Sequence, residues 1–256
     1  MPFLDKLTLL RHLLERYDLS TASVLDAGSG RSSARALLEQ NPAAATFVCA
    51  PDDDLKAGHV REELAGTSAS DASLEQADLR DRSLFAEASF GFAVADYLVS
   101  GLEWGAQYAV LANLYRWLAP GGDLVVVDIE PPGHATEESW AAGALLFWSR
   151  FLKAYPDRAL VEPTYYPQRA AVDWLDGLGF VDAREEMHPK YFDRTWALDC
   201  YGQATKFLRR VGTEALRVGV EAELQVLRDR VMNSRAYDTP GIHWTSNYVI
   251  HVRKPW

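Results

Sequence analysis

The stretch VLDAGSGRSS, from Val24 to Ser33, joins a short apolar run to a segment with helical spacing through a glycine-rich turn. Apolar β-branched runs are typical of strands buried on both faces of a sheet, and apolar residues three and four apart are typical of helices. Gly28 and Gly30 permit a tight turn and let a ligand approach the backbone closely. The stretch therefore predicts a strand, a turn that is a candidate binding loop, and a helix.

The same alternation of strand and helix continues outward from this stretch. Apolar runs predict further strands at 46–49, 74–77, 90–95 and 123–129, with helical spacing between them, and two later strands are predicted at 181–187 and 247–252. Strands that alternate with helices form parallel sheets through right-handed crossovers. We therefore predict an α/β fold, a Rossmann-like, doubly wound, mostly parallel seven-stranded sheet with helical lid insertions.

The second half of the chain is richer in aromatic residues and in helical spacing, with a long helical stretch predicted at 193–232. We expect one domain over 1–256, with an amphipathic N-terminal helix at 3–17. Lid segments are expected at about 134–167 and 193–240. They are predicted to cover the carboxyl ends of the strands, where open parallel sheets bind their ligands.

Composition restricts the class of protein. The 256 residues carry a formal net charge of -10, whereas a protein that binds nucleic acid usually has a basic face, so we expect no nucleic-acid partner. Charges interrupt every long apolar stretch, so we expect no membrane association and a cytoplasmic location. Cys49 and Cys200 are predicted core residues, and the six histidines lack metal-ligand spacing, so no metal site is predicted.

Four motifs follow one another along the chain. They are VLDAGSG at 24–30, LAPGGDLVVVD at 118–128, GLGF at 177–180 and YVIHVRKP at 248–255. Together they resemble the class I S-adenosylmethionine (SAM)-dependent methyltransferases of the small-molecule type. The resemblance implies that SAM is the cofactor and that a small molecule is the methyl acceptor, with secondary metabolism as one setting.

The resemblance assigns the first motif to the methionine part of SAM. The residues that it implies there are Asp26, Gly28, Ser29 and Gly30. The chemistry agrees, because a carboxylate accepts hydrogen bonds from the cofactor's ammonium while the amides of the turn approach its amino-acid moiety. Ser32 stands where the family usually has a third glycine.

Two further acidic positions match the family. Asp78 and Leu79, after the third strand, resemble its adenine-binding pair, although Asp78 is equally suited to cap a helix. Asp96, followed by Tyr97 at the end of the fourth strand, stands where family members line the sulfonium end of SAM. As an alternative, Asp96 caps the next helix.

One position departs from the family pattern. Its members carry an acidic residue at the tip of the second strand, which binds the ribose hydroxyls, whereas Cys49 or Ala50 stands there in this chain. Asp52 can substitute if the loop bulges. Alternatively, 52–54 is a helix start whose negative charges suit the helix dipole.

Aromatic residues and histidines supply the candidates for chemistry. The sulfonium of SAM is a cation, so Trp140 with Tyr165 or Tyr166 can form an aromatic cage around it. Methyl transfer depends mainly on positioning and needs a base only if the nucleophile starts protonated. The candidate bases are Tyr166, His134 and His243.

Two other functions stay open on the sequence alone. In one, the same fold hosts a SAM-consuming cyclase that forms azetidine-2-carboxylate and methylthioadenosine, for which enclosure by Trp140 and the paired tyrosines is also suitable. In the other, the chain is a non-catalytic SAM-binding subunit, as the missing second-strand acid indicates. The N-terminal helix and the helical additions are compatible with a homodimer.

Overall fold

The computed structural model describes residues 5–67, 71–102, 105–131, 136–154 and 165–256, in which strands and helices alternate. The strands are β1 (Ser23–Ala27), β2 (Ala44–Cys49), β3 (Ala72–Gln76), β4 (Phe90–Asp96), β5 (Leu118–Ile129), β6 (Val181–Phe192) and β7 (Ile242–Arg253). The α-helices are α1 (Lys6–Leu14), α2 (Arg31–Glu39), α3 (Asp54–Ala65), α4 (Ala106–Trp117), α5 (Glu137–Ala154), α6 (Gln168–Gly177), α7 (Arg194–Leu208) and α8 (Glu214–Asn233).

The strands form one sheet in the order β3-β2-β1-β4-β5-β7-β6. β1 pairs in parallel with β2 and β4, and β3 and β5 extend the parallel part on either side. β7 runs antiparallel to β5, with Asn247 opposite Ile129 and Arg253 opposite Asp123. The predicted mostly parallel, seven-stranded α/β sheet is thereby confirmed.

Helices cover both faces of the parallel strands. Successive strand residues point to opposite faces, so Val24 joins a hydrophobic cluster with α1, α2 and α3, while Leu25 joins one with α4 and α6. Trp117, at the end of α4, is fully buried and meets the Phe85 ring edge-on at 5.1 Å. Burial on both faces accounts for the apolar runs that locate the strands in the sequence.

The chain divides into two compact units. The first contains Met1–Glu130, Pro163–His188 and Asn247–Trp256, and the second contains Pro131–Glu162 and Pro189–Ser246. Within the second unit α5, α7 and α8 pack on one another. The predicted lid segments fall mainly in this unit. Their covering of the strand ends, and the expectation of a single domain, stay predictions.

Hydrogen bonds to helix ends hold the second unit together internally. Tyr237, with no exposed surface, donates its hydroxyl to the carbonyl of Glu138 at 2.7 Å. Arg194, the first residue of α7, donates to the carbonyls of Val231 at 3.1 Å and Met232 at 2.7 Å. The last carbonyls of a helix lack partners within it, so these bonds tie the end of α8 to the start of α7.

Two predicted helix boundaries were wrong. The N-terminal helix spans Lys6–Leu14 rather than 3–17, because the Asp5 side chain accepts from the amide of Thr8 at 3.1 Å and caps the helix there. The helical stretch at 193–232 is two helices, α7 and α8. The chain is not helical around Gly212, and glycine disfavours the helical conformation. None of the helices in the described ranges is long and apolar enough to cross a bilayer.

A charged cluster lines a cavity of about 230 Å³ near the amino ends of the parallel strands. The buried His251 of β7 has its Nδ1 2.6 Å from the hydroxyl oxygen of Tyr17 and its Nε2 3.3 Å from the carboxylate of Glu186. Glu186 also accepts from Arg16, which lowers the pKa of Glu186 to about 2. Burial lowers the pKa of His251, so the cluster favours a neutral imidazole.

Acidification is expected to remove stability through His251. Its pKa in the folded state lies below the ordinary value of 6.5, so the unfolded chain takes up the proton first and stability is lost as the pH falls below 6.5. His251→Gln removes this titration. Urea unfolding from about pH 7.5 to about pH 5.5 should show the wild type losing stability relative to the variant. A difference that stays constant over this range would contradict the prediction.

Candidate functional site

A buried carboxylate near the carboxyl end of β1 marks the candidate site. Asp26 is 1% exposed, and neither of its carboxylate oxygens has a hydrogen-bond partner among the described residues. Ser29 donates its hydroxyl to the backbone carbonyl of Asp26 at 2.7 Å. Ser33 donates its hydroxyl to the carbonyl of Gly30 at 3.1 Å. An unsatisfied buried acceptor is costly, and this one is left to accept from a ligand.

The electrostatics of this carboxylate are unusual. Burial, followed by the negative charge of Asp96, raises the pKa of Asp26 to about 7. The register places the two acids on neighbouring strands at the same edge, since Ala27 lies opposite Ala95. A cation bound beside Asp26 would favour its ionised form, and an acid with a displaced pKa is common at a functional site.

The glycine-rich turn after β1 is fixed to β2. Gly28 has a φ of 80°, and a Cβ atom there would lie 3.1 Å from Cδ1 of Leu98. The amides of Gly28 and Ser29 donate to the carbonyl of Val48 at 3.0 and 2.8 Å, and the amide of Val48 donates to the Ser29 hydroxyl at 2.9 Å. The fully buried Ser29 therefore shapes the turn. Its predicted contact with a cofactor, like that of Gly28, stays a prediction.

Open space adjoins the last glycine of the turn. Gly30 precedes α2, and a Cβ atom built on it would meet no atom of the described chain within 4 Å. Its amide donates to the Ser33 hydroxyl at 3.1 Å, which satisfies one of the first amides at the helix start. A ligand can therefore approach the backbone at Gly30, where the positive end of the α2 dipole favours an anionic group.

The second buried acid, Asp96 at the end of β4, has a cationic partner. Its Oδ2 lies 2.7 Å from the ammonium of Lys6 in the first turn of α1, while its Oδ1 has no hydrogen-bond partner in the described ranges. The Lys6 ammonium also lies 4.3 Å from the centre of the Tyr97 ring. Tyr97 donates its hydroxyl to the side-chain oxygen of Asn247. A carboxylate and an aromatic face thus contact one cation. Among the described residues Asp96 caps neither of the next two helices, whose N-caps are Leu98 and Gly105.

The predicted adenine pair follows β3. Asp78 accepts from the amide of Arg80 at 2.9 Å and from its guanidinium at 2.7 Å, and these bonds hold the pKa of Asp78 below its usual value. Asp78 therefore stabilises a turn rather than a helix start. Leu79 is buried, and its carbonyl accepts from the side-chain amide of Asn113 at 2.8 Å. The contact of Asp78 and Leu79 with adenine stays a prediction.

No acidic residue stands at the tip of β2 itself. The strand ends at Cys49, a buried core residue as predicted, and Asp52 lies exposed in the turn that follows. Asp53 caps α3 by accepting from the amide of Lys56 at 3.1 Å. The helix-start interpretation thus holds for Asp53, and ribose binding by Asp52 stays a prediction.

The predicted catalytic residues lie in different parts of the chain. Tyr166, in the first unit, is 9% exposed, its ring lies 4.8 Å from that of Trp174, and burial raises its pKa. Trp140 lies on α5 in the second unit and is 53% exposed. His134 lies outside the described residues. His243 has its Nε2 3.2 Å from the Ser246 hydroxyl. Their catalytic roles stay predictions.

A third buried acid shows what a purely structural carboxylate looks like in this sheet. Asp128 of β5 has no exposed surface, and its oxygens accept from the amides of Ser100 at 2.9 Å and Ile129 at 2.8 Å. Burial raises its pKa to about 6, but its hydrogen bonds are made within the chain. Asp26 and Asp96 differ from Asp128, because each keeps at least one carboxylate oxygen without a hydrogen-bond partner in the described ranges.

Sequence reasoning missed Lys6 and Asn247. Neither lies within the motifs assigned to the cofactor, and each reaches the site through tertiary structure, Lys6 on α1 and Asn247 on β7. The leucine pattern of α1 signals which side of the helix is buried but not which strand its first turn meets. No group of three or more His, Cys, Asp or Glu side chains in the described part of the chain could hold a metal ion.

Comparison with known proteins identifies the fold. No protein-family model matches the sequence, and no curated protein matches it. Solved structures do match. The YcgJ protein of Bacillus subtilis is 13% identical, with a TM-score of 0.60 over 98% of each chain. The [4+2]-cyclase SpnF is 16% identical, with a TM-score of 0.59 over 96% of this chain and 80% of its own.

A third similar structure is that of an N-methyltransferase with two bound molecules. It is phosphoethanolamine N-methyltransferase 2 of Haemonchus contortus, in complex with phosphomonomethylethanolamine and S-adenosylhomocysteine. This enzyme is 15% identical, with a TM-score of 0.57 over 97% of this chain, which spans 52% of the enzyme's length. At such identities the likeness concerns the fold, and the fold is that of class I SAM-dependent methyltransferases.

Proposed function

We propose that this chain is a SAM-dependent methyltransferase that acts on a small molecule. The observation that carries the proposal is the buried, unpartnered carboxylate of Asp26 beside the positive-φ turn at Gly28, in a fold shared with an N-methyltransferase. Fold alone does not assign function, whereas an orphan buried acceptor calls for a ligand that donates.

The residues present suit SAM. Its ammonium and sulfonium are cations, and the site offers the acceptors of Asp26 and Asp96 together with the ring face of Tyr97. Its carboxylate is favoured by the start of α2, next to the open space at Gly30. When bound, SAM supplies an electrophilic methyl group on sulfur. The chain would bind and orient it, with Asp26 accepting from the ammonium.

Transfer itself asks for position more than for acid or base. An in-line arrangement of nucleophile, methyl carbon and sulfur is obtained by holding both reactants, and a base acts only on a protonated nucleophile. A tyrosine phenol, with an ordinary pKa of 10.0, is protonated at neutral pH and can donate a hydrogen bond to an acceptor, and burial raises the pKa of Tyr166 further. A small molecule is the proposed acceptor because a net charge of -10 suits nucleic acid poorly.

We further propose that the protein works in the cytoplasm, with homodimerisation compatible with its helices.

Calorimetry and product analysis test this function together. We expect purified protein to bind SAM and S-adenosylhomocysteine, to form neither S-adenosylhomocysteine nor methylthioadenosine from SAM alone, and to release S-adenosylhomocysteine when a pool of small metabolites is added. Methylthioadenosine formed without an acceptor would favour the azetidine-forming cyclase instead. Binding without turnover in any pool would favour the non-catalytic subunit, and absence of binding would overturn all three.

A further inference from the structure

The ammonium of Lys6 occupies a cation site made by Asp96, the last residue of β4, and by Tyr97, which follows it. It lies 2.7 Å from Oδ2 of Asp96 and 4.3 Å from the centre of the Tyr97 ring. The Asp96 side chain is 1% exposed, whereas that of Lys6 is 38% exposed. The carboxylate is therefore fixed in the sheet, while the ammonium reaches it from solvent and can move away.

The position of Lys6 is set by the whole of α1. Asp5 caps the helix through the amide of Thr8 at 3.1 Å, and the helix packs through a row of buried leucines. These leucines, all at most 1% exposed, are Leu9, Leu10, Leu13 and Leu14. They lie in the same hydrophobic cluster as Val94 of β4. The helix is thus held by apolar contacts, so the Lys6 side chain can leave Asp96 without unseating α1.

Lys6 offsets the charge of one of the two buried acids in this region. Asp26 and Asp96 lie on neighbouring strands. In the described part of the chain, Lys6 forms an ion pair with Asp96, and the carboxylate of Asp26 has no hydrogen-bond partner. A carboxylate next to an aromatic face attracts any cation, whether it comes from the chain or from a ligand. A sulfonium and an ammonium therefore compete for one place.

We infer that Lys6 is a specificity-determining residue: it is an internal counter-ion that reduces the preference of the site for a sulfonium ligand over the corresponding thioether. This inference rests on the proposed function. Like charges repel, so Lys6 weakens binding of SAM, which carries the sulfonium, and has little effect on S-adenosylhomocysteine, in which the sulfur is neutral. Without Lys6 the site would hold the sulfonium more tightly.

Calorimetric titration of each variant with SAM and with S-adenosylhomocysteine tests the inference. Lys6→Met should increase the ratio of the S-adenosylhomocysteine dissociation constant to the SAM dissociation constant on the order of tenfold. Lys6→Arg, which keeps the charge, should leave the ratio near that of the wild type. Lys206→Met is the matched control, because Lys206 is an exposed lysine that also lies over a ring, that of Phe207, at 5.5 Å.

A charge-balanced pair of variants keeps the test decisive if Lys6→Met alone does not fold. Asp96→Asn should lower the ratio, and the double variant Lys6→Met with Asp96→Asn should return it towards the wild-type value, because both charges are then absent. An unchanged ratio in Lys6→Met, or an equal loss of both affinities, would overturn the role of Lys6 while the wild type still binds. If the wild type binds neither compound, the proposed function fails and this inference fails with it.

Discussion

Asp26→Asn is expected to weaken SAM binding strongly while raising the melting temperature of the protein. The carboxylate would accept charge-assisted hydrogen bonds from the ligand's ammonium, and replacing it by a neutral amide should weaken binding by about 100-fold. In the ligand-free protein the same carboxylate is buried without a partner, and burial disfavours its charged form, as its raised pKa shows. Removing the charge should therefore stabilise the fold, by about 2–4 °C for each kcal/mol in a chain of this size.

The sign of this effect depends on pH. The pKa of Asp26 is raised from 3.8 to about 7 in the folded state, so the folded protein binds the proton more tightly than the unfolded chain. Stability contributed by the protonated form is complete below 3.8 and is lost as the pH rises to about 7. The gain in melting temperature should accordingly be largest above pH 7 and disappear towards about pH 4.

Asp128→Asn is the matched control for Asp26→Asn. Both acids are buried in neighbouring parts of the sheet, but the oxygens of Asp128 already accept from the amides of Ser100 and Ile129. The side-chain NH2 group of asparagine would face the backbone N–H of Ser100 or Ile129, and two donors cannot bond to each other. This variant should therefore melt at a lower temperature than the wild type. Thermal melts and SAM titrations of both variants check the pair. The prediction fails if Asp26→Asn melts lower or binds SAM as well as the wild type does.

Gly30→Ala is expected to leave the fold intact and to weaken SAM binding about tenfold. A Cβ atom at Gly30 meets nothing within 4 Å in the ligand-free chain, and its φ of -140° is open to alanine. If a ligand occupies that space, the added methyl group must displace it from the backbone.

Gly28→Ala provides the contrasting variant. At Gly28 the φ of 80° and the 3.1 Å approach to Leu98 make any side chain strained, at a cost of about 1–3 kcal/mol. We therefore expect Gly28→Ala to lower both stability and affinity, whereas Gly30→Ala lowers affinity alone. Unfolding in urea and calorimetry with SAM separate the two effects. If Gly30→Ala binds SAM with unchanged affinity, the open space is not part of the binding site.

The parallel part of the fold follows from local sequence. Strands buried on both faces must be apolar throughout, so runs such as DLVVVDI locate them, and the turn at Gly28 needs a residue that tolerates positive φ. The strands and the turn depend on neighbours in the chain. The role of Asp26 is implied by the resemblance to the methyltransferases and stays a prediction, while its burial is found only in the structure.

Features that depend on distant parts of the chain could not be predicted. The pairing of Lys6 with Asp96 requires knowing which strand the first turn of α1 meets, and spacing within α1 does not contain this information. The bonds of Ser29 to Val48 likewise depend on the packing of β1 beside β2. The helical spacing of the sequence continues across Gly212, whereas the structure has two helices separated there. A short interruption changes the spacing of apolar residues too little to be detected in the sequence.

The double attachment of the turn to β2 has a thermodynamic consequence. Since the amides of Gly28 and Ser29 are already bonded to Val48, this backbone is rigid before any ligand arrives. If SAM binds at this turn as proposed, little conformational entropy would be lost in ordering the loop. We therefore expect association to be faster than it would be if the loop had to change conformation on binding.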